Sequence, residues 1–190
     1  MNQNTSRITA ALAGAGLLAA VTIGSGVGAS KGAVLATAEI QNASGGVIGF
    51  AKFTEDGSGR VHVNVKVDGL TPGLHGIHIH RVGVCTSVAG PFLDSLSHFN
   101  PVSTATHGEH NVNVATTGYH AGDLPNLVVD ADGRGVLNDE TNGATVSATS
   151  QSLFDGDGSA IIIHAGPDDL VTNPTGNSGA RIACGVIVPK

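Results

Sequence analysis

Val61-His-Val-Asn-Val-Lys-Val67 places valine at every odd position and a polar residue at every even one. Successive side chains point to opposite faces of a strand, so the four valines line one face and His62, Asn64 and Lys66 the other. β-branched side chains also fit a pleated surface better than a helix. The segment therefore reads as an antiparallel strand with one buried face, and the chain around it follows the same grammar. Upstream, Asp56-Gly57-Ser58-Gly59 turns back to strand-like runs at 47–53 and 33–41, separated by Ser44-Gly45-Gly46. Downstream, Asp68-Gly69 and Thr71-Pro72-Gly73 lead into a further run at 74–81. Strand-like stretches return at 127–130, 135–138, 144–150, 160–165 and 181–188, punctuated by Asp132-Gly133, Asn142-Gly143 and Asp155-Gly156-Asp157-Gly158. Short strands at regular spacing, with no long apolar stripe of helical period after residue 29, predict an all-β sandwich or flattened barrel.

At 190 residues, with 41% apolar content, the chain suits one domain with a real core. It has no Trp, one Tyr and five Phe, so that core must be built from Val, Ile, Leu and Ala. Two segments break the pattern, 82–123 and 166–180. Some forty irregular residues in a compact domain call for a functional reason.

The first residues are different in kind. Residues 1–7 are polar with one positive charge, residues 8–23 are apolar and rich in Ala and Gly, and Val27 and Ala29 sit where a cleavage site wants small residues. This is the pattern of a secretory signal peptide over residues 1–29, with the domain occupying 30–190. The 16-residue apolar run is shorter than the about 20 residues that span a bilayer. Cleavage there removes Arg7 and no acidic residue, taking the net charge from −6 to −7. An acidic surface speaks against nucleic acid and anionic membranes as partners. In an exported chain the two cysteines, Cys85 and Cys184, predict a disulfide. On the chain-entropy account, closing a loop of about 100 residues contributes roughly 4–5 kcal/mol.

Seven of the nine histidines fall in short segments beside turn residues: His75-Gly-Ile-His78-Ile-His80, His98-Phe-Asn-Pro101, His107-Gly108, Gly118-Tyr-His120-Ala-Gly-Asp123 and Ile163-His164. Histidine is the commonest metal ligand. Being two apart on a strand, His78 and His80 share a face while Ile77 and Ile79 enter the core. His164 ends another apolar run and can supply a third imidazole. His98, His107, His120 and Asp123 fit a closed tetrahedral zinc site. Histidine-rich sites without thiolate suit copper or zinc, and redox chemistry would require the copper. His62, on the polar face of its strand, reads as a solvated surface residue.

These segments, together with Cys85-Thr-Ser, Ala89-Gly-Pro91, His120-Ala-Gly-Asp-Leu-Pro-Asn126, Asp168-Asp169-Leu170 and Thr175-Gly-Asn-Ser-Gly-Ala-Arg-Ile-Ala-Cys-Gly-Val186, resemble the copper,zinc superoxide dismutases, in the family's order and over most of the mature chain. The Ala-Gly-Asp-Leu-Pro-Asn wording and the signal peptide resemble the bacterial, exported branch. The resemblance implies an antiparallel Greek-key β-sandwich or flattened barrel of about eight strands with two long functional loops. It implies dismutation of superoxide to oxygen and hydrogen peroxide by a redox-cycling copper joined through His98 to a structural zinc. Copper would be bound by His78, His80, His98 and His164, and zinc by His98, His107, His120 and Asp123. Asp168 would join a copper-side to a zinc-side histidine, Arg181 would attract superoxide, and His75 would be structural. Cys85–Cys184 would tie the loop to the last strand.

Three departures from the common eukaryotic pattern set further expectations. Residues 92–97 are an insertion, expected to bulge from the disulfide subloop and alter a dimer surface. His107 and His120 are widely spaced, and His110 between them is the alternative zinc ligand to His107. Residues 164–181 lack the usual charged run, so steering would rest on Arg181 with Lys31, Lys52 or Lys66. The implied partners are superoxide, export machinery and a copper donor; a homodimer is left open, and the place of action is the periplasm, the cell envelope or the outside. The rivals are a copper-only relative and a dismutase-like domain that stores or delivers metal.

Overall fold

The computed structural model of the protein describes residues 35–101, 104–108 and 118–190. Residues 1–29, Lys31 and His110 lie outside the described residues.

The strand of alternating valines is β3 (Val61–Val67), after β1 (Ala36–Asn42) and β2 (Val47–Glu55). Its four valines are buried while Asn64 and Lys66 are exposed and His62 half-buried. Fully burying such a side chain contributes about 1.5–3 kcal/mol. β3 pairs antiparallel with β2 along its whole length and, on its other side, with β7 (Gly135–Thr141).

The run expected as one strand over 74–81 is two: β4 (Gly73–His75) and β5 (Ile77–His80). β4 pairs with β6 (Leu127–Val129), whereas β5 pairs with β8 (Ala160–His164). The chain switches partners at Gly76, where a Cβ would collide with the Ser178 side chain 2.6 Å away. With β9 (Arg181–Val186) and β10 (Val188–Pro189), the sheet has ten strands among the described residues, in the order β4-β6-β7-β3-β2-β1-β9-β8-β5 with β10 beside β1. Since β4 and β5 are neighbours in the chain, the ordered sheet curls into a nearly closed antiparallel barrel. The architecture is the expected all-β one, and the strand count exceeds eight because of the Gly76 break and the short β10.

Residues 144–150, expected as a strand, form turns with only an isolated bridge from Thr145 to Ser152. The Glu55 carboxylate explains this. It accepts the backbone N–H of Val146 and Ser147 and the Ser147 hydroxyl, so donors that a ladder would use are satisfied by a side chain.

The barrel interior holds Ala38, Ile40, Phe53, the β3 valines, Ile77, Ile79, Ile161 and Ile163. On the outer side of β5, β8 and β9, His78, His80, Ile162, His164 and Cys184 are also buried, because the irregular segments fold over them. That second, covered face holds three of the histidines. The Cys85–Cys184 disulfide, S–S 2.01 Å, joins the long segment to β9 as the sequence predicts.

Residues 92–97, expected to bulge from the subloop, are anchored by two buried residues, Phe92 and Ser95. Phe92 packs on Cys85, Cys184, Ala160 and Ile162, and Ser95 is fully buried inside a short 3-10 turn, Leu93–Ser95, while Leu93, Asp94, Leu96 and Ser97 stay exposed. The apolar disulfide and β8 offer Phe92 a place to bury, and the insertion folds inward to use it.

Candidate metal centre

Because Ile77 and Ile79 point into the barrel, His78 and His80 must point out of it. His164, the last residue of the neighbouring β8, joins them on that face, its N–H donating to Gly76 O at 2.8 Å. The free edge of β5 collects the loop ligands by backbone pairing. Phe99 N–H donates to Ile79 O and Ile79 N–H to Gly122 O, both at 2.8 Å. Isolated bridges set His98 beside His80 and Asp123 beside His78. The approach is so close that a Cβ on Gly122 would overlap the Ile79 carbonyl, which explains the glycine in Ala121-Gly-Asp123.

Ligand atoms of His78, His80, His98 and His164 lie within 4.8 Å of one another, and all four residues are buried. Each ring has one nitrogen committed: His78 Nε2 to Asp168 Oδ2 at 2.5 Å, His80 Nδ1 to Leu96 O at 2.8 Å, His164 Nδ1 to Gly179 O at 3.1 Å, and His98 Nδ1 to Asp123 Oδ1 at 2.7 Å. The opposite nitrogens, His78 Nδ1 and Nε2 of His80, His98 and His164, are buried without a hydrogen-bond partner among the described residues. A buried polar atom left unpaired costs about 1–3 kcal/mol, so four converging in one place require an occupant. Donating a ring N–H to an acceptor leaves the lone pair on the other nitrogen. A cation bound by neutral imidazoles fits that donor set, and copper suits it.

The second cluster gathers round one carboxylate. Asp123 Oδ1 lies 2.7 Å from His98 Nδ1, 3.1 Å from His107 Nδ1 and 3.3 Å from His120 Nδ1. Its Oδ2 accepts the backbone N–H of His120 at 3.1 Å and of Gly108 at 3.3 Å. His107 Nδ1 faces Asp123 Oδ1, while His107 Nε2 is held by Asp168 Oδ1 at 2.9 Å. By mutual distance the second set of four is His78, His98, His107 and Asp123, with His120 attached through Asp123. The free nitrogen of His78 faces the first cluster, and His120 approaches the second through Asp123. Three imidazoles and a carboxylate suit tetrahedral zinc.

Electrostatics differ between the two clusters. Burial pushes His78 down to about 3, His164 to about 4 and His80 well below its usual value, so these rings are neutral at pH 7. Burial also lowers His98 against the pull of Asp123. For His107 burial acts in the same direction, but the Asp123 and Asp168 carboxylates outweigh it and raise the ring to about 9. Burial would raise both aspartates, yet hydrogen bonds from His107 and its neighbours hold them well below the carboxylate range.

Residues 47–187 match the sequence model of the family described as copper/zinc superoxide dismutase (SODC). The chain belongs to that family. It is 38% identical over 163 residues to superoxide dismutase [Cu-Zn] 2 of Mesembryanthemum crystallinum, covering 81% of this chain and 95% of that protein. It is 37% identical over 155 residues to superoxide dismutase [Cu-Zn] of Deinococcus radiodurans, covering 78% and 81%. A crystal structure of a SOD-like protein from Bacillus subtilis superposes with a TM-score of 0.69 at 36% identity, over 80% of this chain and 97% of that one. Membership makes the chain an oxidoreductase of the superoxide dismutase type, with copper and zinc as cofactors.

Other expected residues fall as follows. Asp168 lies between the clusters, Oδ2 2.5 Å from His78 Nε2 and Oδ1 2.9 Å from His107 Nε2. Arg181 opens β9 directly opposite His164 in the ladder. His75 reaches two carbonyls, Nδ1 lying 2.7 Å from His164 O and Nε2 2.8 Å from Thr71 O. His62 is not simply solvated: it lies 3.0 Å from Asp56 Oδ2 and 3.3 Å from Glu140 Oε2. Lys52 and Lys66 sit on the outer face of β2 and β3, which are separated from β5 by three and four strands of the sheet order, so neither lines the metal clusters. Sequence reasoning gave no role to Asn126, which clamps Asp168 by accepting its N–H at 2.7 Å and donating to its carbonyl at 2.9 Å. Its place at the end of the Ala-Gly-Asp-Leu-Pro-Asn stretch was the available signal. Gly176 has a similar task at φ 62°, since a Cβ there would overlap the Asp168 carboxylate.

Proposed function

We propose that the first cluster, His78, His80, His98 and His164, is the copper site, and that His98, His107, His120 and Asp123 form the zinc site, with His98 shared. The observation that carries this is the convergence of four buried, unpartnered imidazole nitrogens on one side of His98 while its other nitrogen faces Asp123. Copper supplies the one-electron cycle that converts two superoxide anions and two protons to oxygen and hydrogen peroxide. The chain's own residues do the rest. His98 Nε2 is the atom that accepts a proton in one half-cycle and yields it in the other, and Asp123 keeps the ring placed from the far side. Asp168 fixes the rings of His78 and His107, so that each directs Nδ1 at its metal. Arg181, beside His164, gives the anion a local cation in an acidic protein.

Residues 1–29 act as an export signal in this reading, and the disulfide is in keeping with an oxidising compartment outside the cytoplasm. A copper donor there would load the site.

The test is superoxide consumption by the mature protein beside its metal content. About one copper and one zinc per chain with rapid consumption is the expected result. Full loading without consumption would contradict the assignment and leave a metal store.

A further inference from the structure

The inward-folded insertion touches both Arg181 and His80. Arg181 Nη1 donates to Phe92 O at 2.7 Å, to Leu93 O at 3.2 Å and to Ser95 Oγ at 3.2 Å, and Nη2 donates to Leu96 O at 2.5 Å. The same Leu96 carbonyl accepts His80 Nδ1–H at 2.8 Å, and Ser95 Oγ stands 3.5 Å from that nitrogen. The Ser95 hydroxyl in turn donates to Phe92 O at 2.9 Å. One buried hydroxyl and one carbonyl are therefore shared by the guanidinium and the imidazole. A guanidinium has five N–H donors in a fixed plane. The turn occupies Nη1 and one hydrogen of Nη2, leaving Nε and the other Nη2 hydrogen without a protein acceptor among the described residues.

The backbone supporting these contacts is held in conformations that L side chains rarely adopt. Phe92 has φ 60° and ψ 17°, and Leu96 has φ 59° and ψ −139°. Such conformations persist only where the surroundings over-determine them, and they concentrate at functional sites. Here the surroundings are Phe92 anchored on the disulfide and Ser95 sealed beneath the turn.

We infer that the turn formed by Phe92, Leu93, Asp94, Ser95 and Leu96 is a clamp in which Ser95 is a positioning residue, coupling the orientation of the Arg181 guanidinium to that of the His80 ring and so setting how tightly an anion binds beside the metal. The inference rests on the reading of His80 as a copper ligand. Ser95 acts through Arg181 and His80 and does not touch the anion. The consequence is that anion affinity depends on a buried hydroxyl in an insertion, not only on the exposed charge.

Azide is the probe, titrated into the copper- and zinc-loaded protein and read by its charge-transfer absorbance, with the copper electron paramagnetic resonance spectrum recorded alongside. Ser95→Ala should weaken azide binding about 3- to 10-fold, the scale of one hydrogen bond's net contribution, with metal content unchanged. In an Arg181→Ala background the same substitution should have no further effect. Equal weakening in both backgrounds, or none in either, overturns the clamp. A second reading uses the metal-free protein and nuclear magnetic resonance of the Arg181 side chain. Guanidinium rotation should speed up in Ser95→Ala, and also in Phe92→Ala, which keeps the carbonyls but removes the turn's anchor on the disulfide. Unchanged rotation in both variants overturns the proposal. If the parent takes up no copper, the reading of the metal site fails, whereas the metal-free comparison still decides whether the clamp exists.

Discussion

The two halves of the metal centre are built on different kinds of scaffold. Three of the four residues around the proposed copper position, His78, His80 and His164, sit on paired neighbours β5 and β8, whose other faces are locked into the barrel by Ile77, Ile79, Ile161 and Ile163. Of the zinc-side residues, His107, His120 and Asp123 all lie in irregular segments, gathered by hydrogen bonds to Asp123 and Asp168 and by the pairing of Gly122 with Ile79. His98 belongs to both. One half is thus preformed by the core, while the other depends on polar contacts that a metal would complete. In the proposed assignment, redox chemistry falls where geometry is stiff, and the structural ion where it can order a loop.

Breaking the stiff half should have the largest effect. His164→Ala removes a ligand from a strand that the core holds in place, so copper should be lost and superoxide consumption should fall by more than the roughly 10–100-fold typical of removing an outer partner. Zinc content should stay near the parent's, because His164 contributes nothing to the second cluster. Metal analysis with a superoxide assay checks this, and equal loss of both metals would erase the distinction between the halves.

Asp168→Asn attacks the link between them. It should lower metal affinity about 10–100-fold, with zinc escaping to a chelator sooner than copper, because His107 sits in a loop and His78 on a strand. Competition with a chromophoric chelator gives the two affinities.

Removing zinc while leaving the chain intact sharpens the contrast without a mutation. Amide hydrogen exchange should accelerate at residues 104–108 and 118–126, while β5 and β8 remain protected. Uniform acceleration across both would mean that the barrel face is not preformed.

The smallest effect should come from a loop that carries no ligand. Burial would raise the Glu55 carboxyl, but its hydrogen bonds from Ser147 and Val146 hold it below its usual value. A carboxyl with a depressed folded value stabilises the fold above its unfolded value of about 4.3, and that contribution is lost as pH falls through the folded value. Glu55→Gln should therefore lower stability by no more than about 1 kcal/mol near neutrality, flatten the pH dependence of unfolding between pH 5 and 3, and leave metal content alone. Thermal melts across that range test it.

Much of this was legible in the chain. The valine alternation over 61–67 gave β3 with its correct buried face, and the His78–His80 spacing gave the shared face, because both depend only on the two-residue period of a strand. Six histidines and Asp123 stood out as a candidate donor set because those residue types have few other reasons to cluster in a β-rich chain. What periodicity could not show depends on partners far away in sequence. Glu55 turns 144–150 into a loop from about ninety residues upstream, Gly76 ends one pairing and starts another, and Phe92 finds its place on a disulfide whose other half is Cys184. Asn126 and Ser95 escaped notice for the same reason: each acts on a site residue through backbone or a ring edge, with no pattern of its own.

The sharing of His98 is the centre of the account, and magnetic coupling tests it most directly. With copper placed in both sites, electron paramagnetic resonance should show the signal largely lost, because an imidazolate joining two copper(II) ions couples their spins. Two independent signals adding to the full copper content would show that His98 does not join the sites, and would contradict the arrangement drawn here.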